Sequence, residues 1–154
     1  MVYKFGPWGI DASEVFVETS LSYAFVNYKP VVEGHVLVTS KRVAPRCVDL
    51  SAEEILDLWT LAHRVGPGLE SLHSAESLTY VIQDGVYAGQ TVPHVHVHIM
   101  PRKPNDFQPN DVIYDRIDRE DHASRKVDAE KERKPRTAED MAREATMLRK
   151  LFEL

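Results

Sequence analysis

His94-Val95-His96-Val97-His98-Ile99-Met100, HVHVHIM in one-letter code, places three of the chain's seven histidines on alternate positions. Val95, Val97 and Ile99 fill the positions between them. This is the period-2 pattern of a half-buried strand. On such a strand the three imidazoles share one face, with Cα atoms about 6.6–6.8 Å apart. They can therefore act on one ligand. Alternate histidines on a strand suit zinc, with three protein ligands and a water. They also suit phosphoryl chemistry, in which an imidazole attacks. No HExxH helix or CxxC pair accompanies them, and at this point three readings stand: a metal site, phosphoryl chemistry, or an accident of composition.

Upstream lies Asp84-Gly85-Val86-Tyr87-Ala88-Gly89-Gln90-Thr91. Gly85 and Gly89 permit close backbone approach. Successive N–H groups in such a turn can form an anion-binding concavity, and Gln90 and Thr91 can add side-chain donors. A donor loop beside a row of imidazoles pairs an oxyanion cradle with a nucleophile and an acid, which favours phosphoryl chemistry.

The rest of the chain points to an antiparallel α+β domain. Val15–Thr19, Ser22–Asn27 and His35–Thr39 read as strands, and their connections are too short for parallel crossovers. Leu78–Gln83 is another strand. Ser51 followed by Glu54 is a capping box, and Ile55, Leu58, Trp59, Ala62 and Val65 recur at helical spacing. Gly66-Pro67-Gly68 is expected to kink or break that helix, because proline lacks a donor and crowds the preceding turn, leaving Leu69 to His73 as a final piece. Residues 115–136 carry mixed charge without an apolar period and are expected to form a mobile, solvated loop. Residues 137–153 follow as a C-terminal helix, with Met141, Ala145, Leu148 and Phe152 on one stripe.

The 154 residues fit one domain spanning 1–154. A formal net charge of -5 argues against a protein that holds nucleic acid by general electrostatics. Cys47 is the single cysteine, so no disulfide can form within the chain. No stretch near 18 apolar residues is present to cross a bilayer. A cytoplasmic protein, with the nucleus also open to it, is expected.

Gly85-x-x-x-Gly89-Gln90-Thr91-Val92-x-His94-Val95-His96-Val97-His98-Ile99-Met100-Pro101-Arg102 resembles the histidine triad (HIT) superfamily, whose motif is His-φ-His-φ-His-φ-φ with φ hydrophobic. Asn27-x-Lys29-Pro30-x-x-x-Gly34-His35-Val36-Leu37-Val38, Gln83-Asp84-Gly85 and Asn110-Asp111-x-Ile113-Tyr114 look like its fragile histidine triad branch, the dinucleoside polyphosphate hydrolases. The resemblance covers roughly Phe5 to Tyr114.

The resemblance implies a five-stranded antiparallel sheet with a long helix and a C-terminal helix, paired into a ten-stranded sheet in a homodimer. It implies cleavage of diadenosine triphosphate to AMP and ADP through a covalent nucleotidyl-histidine on His96. His98 would contact phosphate oxygens near the scissile bridge, while His94 and His35 would fix orientation behind it. Asn27 would bind ribose hydroxyls and Gln83 the leaving side of the phosphate chain. Gly89, Gln90, Thr91 and Val92 would cradle phosphates, and Phe5, with Phe25 and Leu37, would line a purine pocket. Trp8 departs from the branch, whose best-known members carry histidine there; it either stacks on the base or anchors to the sheet. No resident metal or cofactor is implied, only a divalent cation, Mg or Mn, arriving with the substrate. Tyr114 is associated in the branch with phosphorylation. Other adenylyl-transferring relatives, phosphoramidases and adenylylsulfatases, use the same covalent step. A nucleotide-binding signalling module with slow turnover would need the same residues.

Overall fold

The computed structural model describes residues 3–118 and 135–153. A hairpin of β1 (Tyr3–Phe5) and β2 (Trp8–Ile10) opens the chain, and Phe5 pairs with Trp8 across a Gly6-Pro7 turn. Gly6 has φ +59°, a conformation that glycine reaches without steric cost. The sequence reading had no hairpin here.

The main sheet follows: β3 (Val15–Glu18), β4 (Ser22–Val26), β5 (Val36–Ser40), β6 (Ser77–Ile82) and β7 (His96–Arg102). Its order is β3-β4-β5-β7-β6, and every pairing is antiparallel. The histidine strand is therefore interior, with β5 and β6 on its two sides.

Helix α1 (Ala52–Leu72) is capped by Ser51, whose side chain accepts from the Glu54 amide. It runs unbroken through Pro67, contrary to the expected interruption. Pro67 and His63, whose carbonyl has no proline N–H to accept, both lie on the solvent side, where water can serve that carbonyl. The flanking glycines are contact points. A Cβ on Gly66 would stand 2.0 Å from Tyr80 Oη, and one on Gly68 would meet the Phe152 ring at 2.9 Å.

Helix α2 (Val112–Asp118) overlaps the stretch expected to be a charged loop. Ile113 and Ile117 are buried against Met100, so the segment through residue 117 is anchored by packing. Arg136 at the other end is also held: its amide donates to Tyr28 O at 3.0 Å, and its Nη1 to Asn27 O at 3.2 Å and to Glu144 at 3.0 Å. Residues 119–134 of that expected loop lie outside the described residues. Helix α3 (Ala138–Phe152) starts at Thr137, which caps the Asp140 amide.

The two faces of the sheet differ. Ala24, Val26, Val36, Val38, Val97 and Ile99 face the helices and join Leu58, Leu61, Ala62, Val65 and Leu69 of α1 and Met141, Ala145 and Leu148 of α3 in the main core. Tyr23, Phe25 and Leu37 face the other way, beneath the N-terminal hairpin, with Phe5, Ile10 and Val92. By strand alternation His96 and His98 share that second face. Ile55 and Trp59, read as part of the α1 core stripe, sit at its margin, 39% and 40% exposed; Leu61 and Leu69 take the buried places instead.

Candidate active site

β7 holds His96 and His98 because its neighbours pin it on both edges. Thr39 pairs with His96 and Leu37 with His98 on one side, and Val81 pairs with His98 on the other. The Thr39 hydroxyl also donates to Val95 O at 2.7 Å. His94 lies two residues before the strand begins, so the expected row of three on one strand becomes two strand residues and one in the lead-in. All three rings are buried or nearly so.

Each ring's protonation follows from fixed backbone partners. His94 Nδ1 accepts from the Gly6 amide at 3.0 Å, so its proton sits on Nε2, which donates to the Ser40 carbonyl at 2.8 Å. Burial lowers the His94 pKa to about 4. With both nitrogens committed, His94 has no lone pair for a metal, and the three-imidazole zinc set is broken. Among the described residues no group of three or more His, Cys, Asp or Glu side chains is arranged to hold an ion.

His96 Nδ1 lies 2.7 Å from the His94 carbonyl, which can only accept. The proton is therefore on Nδ1, and Nε2 keeps its lone pair. Burial lowers this pKa too, to about 4. Phe5 stands edge-on to the ring at a centroid distance of 4.8 Å. His96 is thus a neutral, oriented nucleophile.

His98 takes its tautomer from a relay. The Val31 amide donates to His35 Nδ1 at 3.0 Å, which leaves the His35 proton on Nε2. That nitrogen lies 3.0 Å from His98 Nδ1 and donates to it. Neutral His98 then carries its proton on Nε2, next to His96, whose ring centroid is 4.9 Å away. One ring offers a lone pair and the other an N–H, which is the complement of a phosphoryl group that is attacked at phosphorus and bonded at oxygen.

The other expected residues divide. Gln83 follows β6 directly, one position past the Ile82–Val97 pair, which places it beside His96; it is buried. Asn27 is fully buried: its Oδ1 accepts from the Lys29 amide at 2.8 Å, and its Nδ2 lies 3.3 Å from His35 Nε2. With both His35 ring nitrogens engaged elsewhere, the Asn27 amide packs against that ring and presents no open surface. Phe5, Phe25 and Leu37 are likewise fully buried and form the floor under the imidazoles. Trp8 packs against this cluster, and its indole Nε1 is buried without a hydrogen-bond partner among the described residues.

The phosphate cradle is narrower than expected. The Gly89 and Gln90 amides turn inward to Val86 O and Gly85 O, at 3.0 and 3.1 Å. The Gln90 side chain is spent on the loop itself, accepting from the Gly85 amide at 2.9 Å and donating to Pro45 O at 2.8 Å. It acts as a staple and offers no side-chain donor. Val92 is buried among the aromatics, and Thr91 alone of the four is exposed.

Gly6, Val31 and Ser40 set the tautomers, and sequence reasoning missed all three. They act through main-chain groups, which any residue carries. Only Gly6 had a signal, a Gly-Pro pair that reads as a turn.

A family model described as the HIT domain matches residues 10–105. Over 152 residues the chain is 53% identical to the bifunctional bis(5'-adenosyl)-triphosphatase/adenylylsulfatase of Arabidopsis thaliana, covering 98% of this chain and 84% of that protein. It is 50% identical over 149 residues to the bis(5'-adenosyl)-triphosphatase of Dictyostelium discoideum, with 97% and 92% covered. Among solved structures, Plasmodium falciparum diadenosine triphosphate hydrolase in complex with cyclomarin A superposes with a TM-score of 0.77 at 34% identity, over 97% of this chain and 82% of that one. Motif, sheet order and near-full-length likeness agree: this chain belongs to the HIT family, in its fragile histidine triad branch.

Proposed function

We propose that the chain hydrolyses dinucleoside polyphosphates, splitting diadenosine triphosphate into AMP and ADP through a nucleotidyl-His96 intermediate. The observation that carries this reading is the His96 Nδ1–His94 carbonyl contact of 2.7 Å, which leaves Nε2 nucleophilic at neutral pH. His96 Nε2 attacks the α-phosphorus and forms a P–N bond as the bond to the bridging oxygen breaks. The leaving ADP takes that bond's electron pair, and His98 Nε2–H bonds to the oxygen that gains charge. The positive charge on His96 is held by Nδ1–H against the His94 carbonyl. Water then attacks phosphorus, the P–N bond returns its electrons to His96, AMP leaves, and the water's proton passes to solvent. The triphosphatase names of the Arabidopsis and Dictyostelium relatives support this substrate class.

Adenylylsulfate is a second substrate on this reading, because the Arabidopsis relative is named bifunctional and the adenylyl half is the same. A divalent cation, Mg or Mn, accompanies the polyphosphate and screens its charge. Trp8 covers the first base; in a Trp59→Phe chain, which keeps Trp8 alone, nucleotide binding should change the tryptophan fluorescence, and an unchanged spectrum would leave Trp8 as a packing anchor. The chain works as a homodimer in the cytoplasm and also in the nucleus. Among the described residues no helix is long and apolar enough to cross a membrane.

The test is mass spectrometry of protein mixed briefly with diadenosine triphosphate and quenched without acid. The expected result is an added AMP on His96, absent in His96→Asn, with turnover down about a thousandfold or more in that variant. An intact substrate and an unmodified protein would reject the reading.

A further inference from the structure

Val86–Ala88 forms a short 3-10 turn at the tip of the loop that joins Gln83 to His94. Glycines at φ +109° and +92° bound it, Gly85 and Gly89. Four hydrogen bonds close its neck: Ala88 N to Gly85 O, Gly89 N to Val86 O, Gln90 N to Gly85 O, and Gly85 N to Gln90 Oε1. The loop is thus a built structure that presents its tip rigidly. At that tip Tyr87 is fully exposed and Val86 is 79% exposed. An exposed tyrosine on a stapled turn has lost chain entropy to hold its ring in water, which suits a stacking partner that arrives with a ligand.

The same neck is tied to the segment after β5. Asp84 Oδ1 accepts from Arg46 Nε at 2.8 Å and from the Cys47 amide at 3.0 Å. The Arg46 guanidinium lies over Gly85, where a Cβ would meet it at 3.2–3.3 Å. Asp84 engages Nε and Nη2, and Nη1 makes no hydrogen bond among the described residues. The two imidazoles with lowered pKa values are neutral near pH 7, so they bring no positive charge to a polyphosphate. Arg46 brings one, half exposed, at the base of the Tyr87 turn.

We infer that Tyr87 and Arg46 form the subsite for the departing half of the substrate: the Tyr87 ring stacks on the second nucleobase and Arg46 Nη1 binds the distal phosphate. This rests on the hydrolase reading above. The placement follows from the chain path. Gln83 stands beside His96 at one root of the loop, and Gly89 to Val92 lead back to His94 at the other. The first base belongs at the hairpin end of the same face, with Phe5 and Trp8, so the phosphates beyond the attacked phosphorus exit toward the loop.

The test compares diadenosine triphosphate with the γ-methyl ester of ATP, which keeps the adenylyl half, chain length and charge but lacks the second nucleoside. Tyr87→Ala should raise KM for the dinucleotide about tenfold, leave kcat close to unchanged, and leave KM for the methyl ester unaltered. Tyr87→Phe, which keeps the ring, should behave as the unaltered chain. Equal effects on both substrates, or none on either, would overturn the subsite while leaving the hydrolase reading intact. A Tyr87→Ala chain that sediments as a monomer where the unaltered chain is a dimer would assign the ring to a subunit contact and also overturn it. If the unaltered chain cleaved neither substrate, the hydrolase reading would fall and the subsite with it.

Discussion

Protonation of His96 would remove the lone pair that attacks phosphorus, so its pKa sets the acid limit of the reaction. Burial holds that pKa at about 4, well below the ordinary 6.5. kcat/KM should therefore stay level from about pH 8 down to about pH 5 and fall below that. An acid limb near 6.5 would show that the ring is more solvated than the structure has it. The same burial links stability to pH. The unfolded chain binds a proton on each of His94 and His96 as pH drops through 6.5, whereas the folded chain resists until about 4. The unfolded state binds more protons in that window, so stability is whole above pH 6.5 and declines from there to pH 4, by roughly 3 kcal/mol for each ring. Thermal melts between pH 7 and pH 4, pH values chosen to bracket about that window, should show a steady fall in Tm; a flat profile would contradict neutral burial of the pair.

At the scale of elements, helix α1 tests whether its glycines weaken the helix or serve a contact. Replacing glycine by alanine inside a helix ordinarily stabilises by about 0.5–1 kcal/mol. At Gly66 the new Cβ would fall 2.0 Å from Tyr80 Oη and 2.9 Å from its Cζ, so the Tyr80 side chain must leave its place or α1 must move off β6. Gly66→Ala should destabilise by about 1–3 kcal/mol, measured by denaturant unfolding. Gly66→Ala combined with Tyr80→Phe should recover part of that loss. A stabilised single variant would mean that the helix rides freely over β6. The Gly-Pro-Gly run misled the sequence reading because local propensity favours a break there. Packing against Tyr80 and Phe152 overrides it, and the water-facing side of the helix tolerates the missing donor.

On the scale of the whole molecule, β6 is an edge strand of the sheet. Trp59 and Tyr80 stand side by side near that edge, with centroids 6.3 Å apart and both more than a third exposed. An unpaired strand edge next to an apolar pair is a template for pairing, and a second copy would extend the five strands to ten. Sedimentation should find a dimer for the unaltered chain, and Trp59→Asp should shift it toward monomer by opposing burial of that edge. A monomer in both cases would remove the dimer from the proposal. The C-terminal helix is likewise tied to the site from a distance, because Arg136 joins Glu144 to the Asn27 carbonyl, one residue past the end of β4.

By itself the sequence determined the five strands of the main sheet, the caps of the long and C-terminal helices and the chemical type of the site, but not the N-terminal hairpin. These depend on periodicity and on side chains near one another along the chain: the His-Val alternation, the Ser51–Glu54 box, the stripe from Met141 to Leu148. The likeness to the HIT family was legible for the same reason, since its motif is contiguous. Only the tertiary structure decided which nitrogen of each imidazole carries the proton. That depends on main-chain groups with no side-chain signature: the Gly6 amide and Ser40 carbonyl, which reach His94 through folding, and the nearby His94 carbonyl and Val31 amide, whose aim at His96 and His35 only the folded backbone fixes. It also placed Asn27 and Phe5 in full burial and tied the Gln90 side chain into its own loop. Burial, and the partners of His94 and His98, are set by neighbours distant in sequence, and a linear pattern carries no record of them.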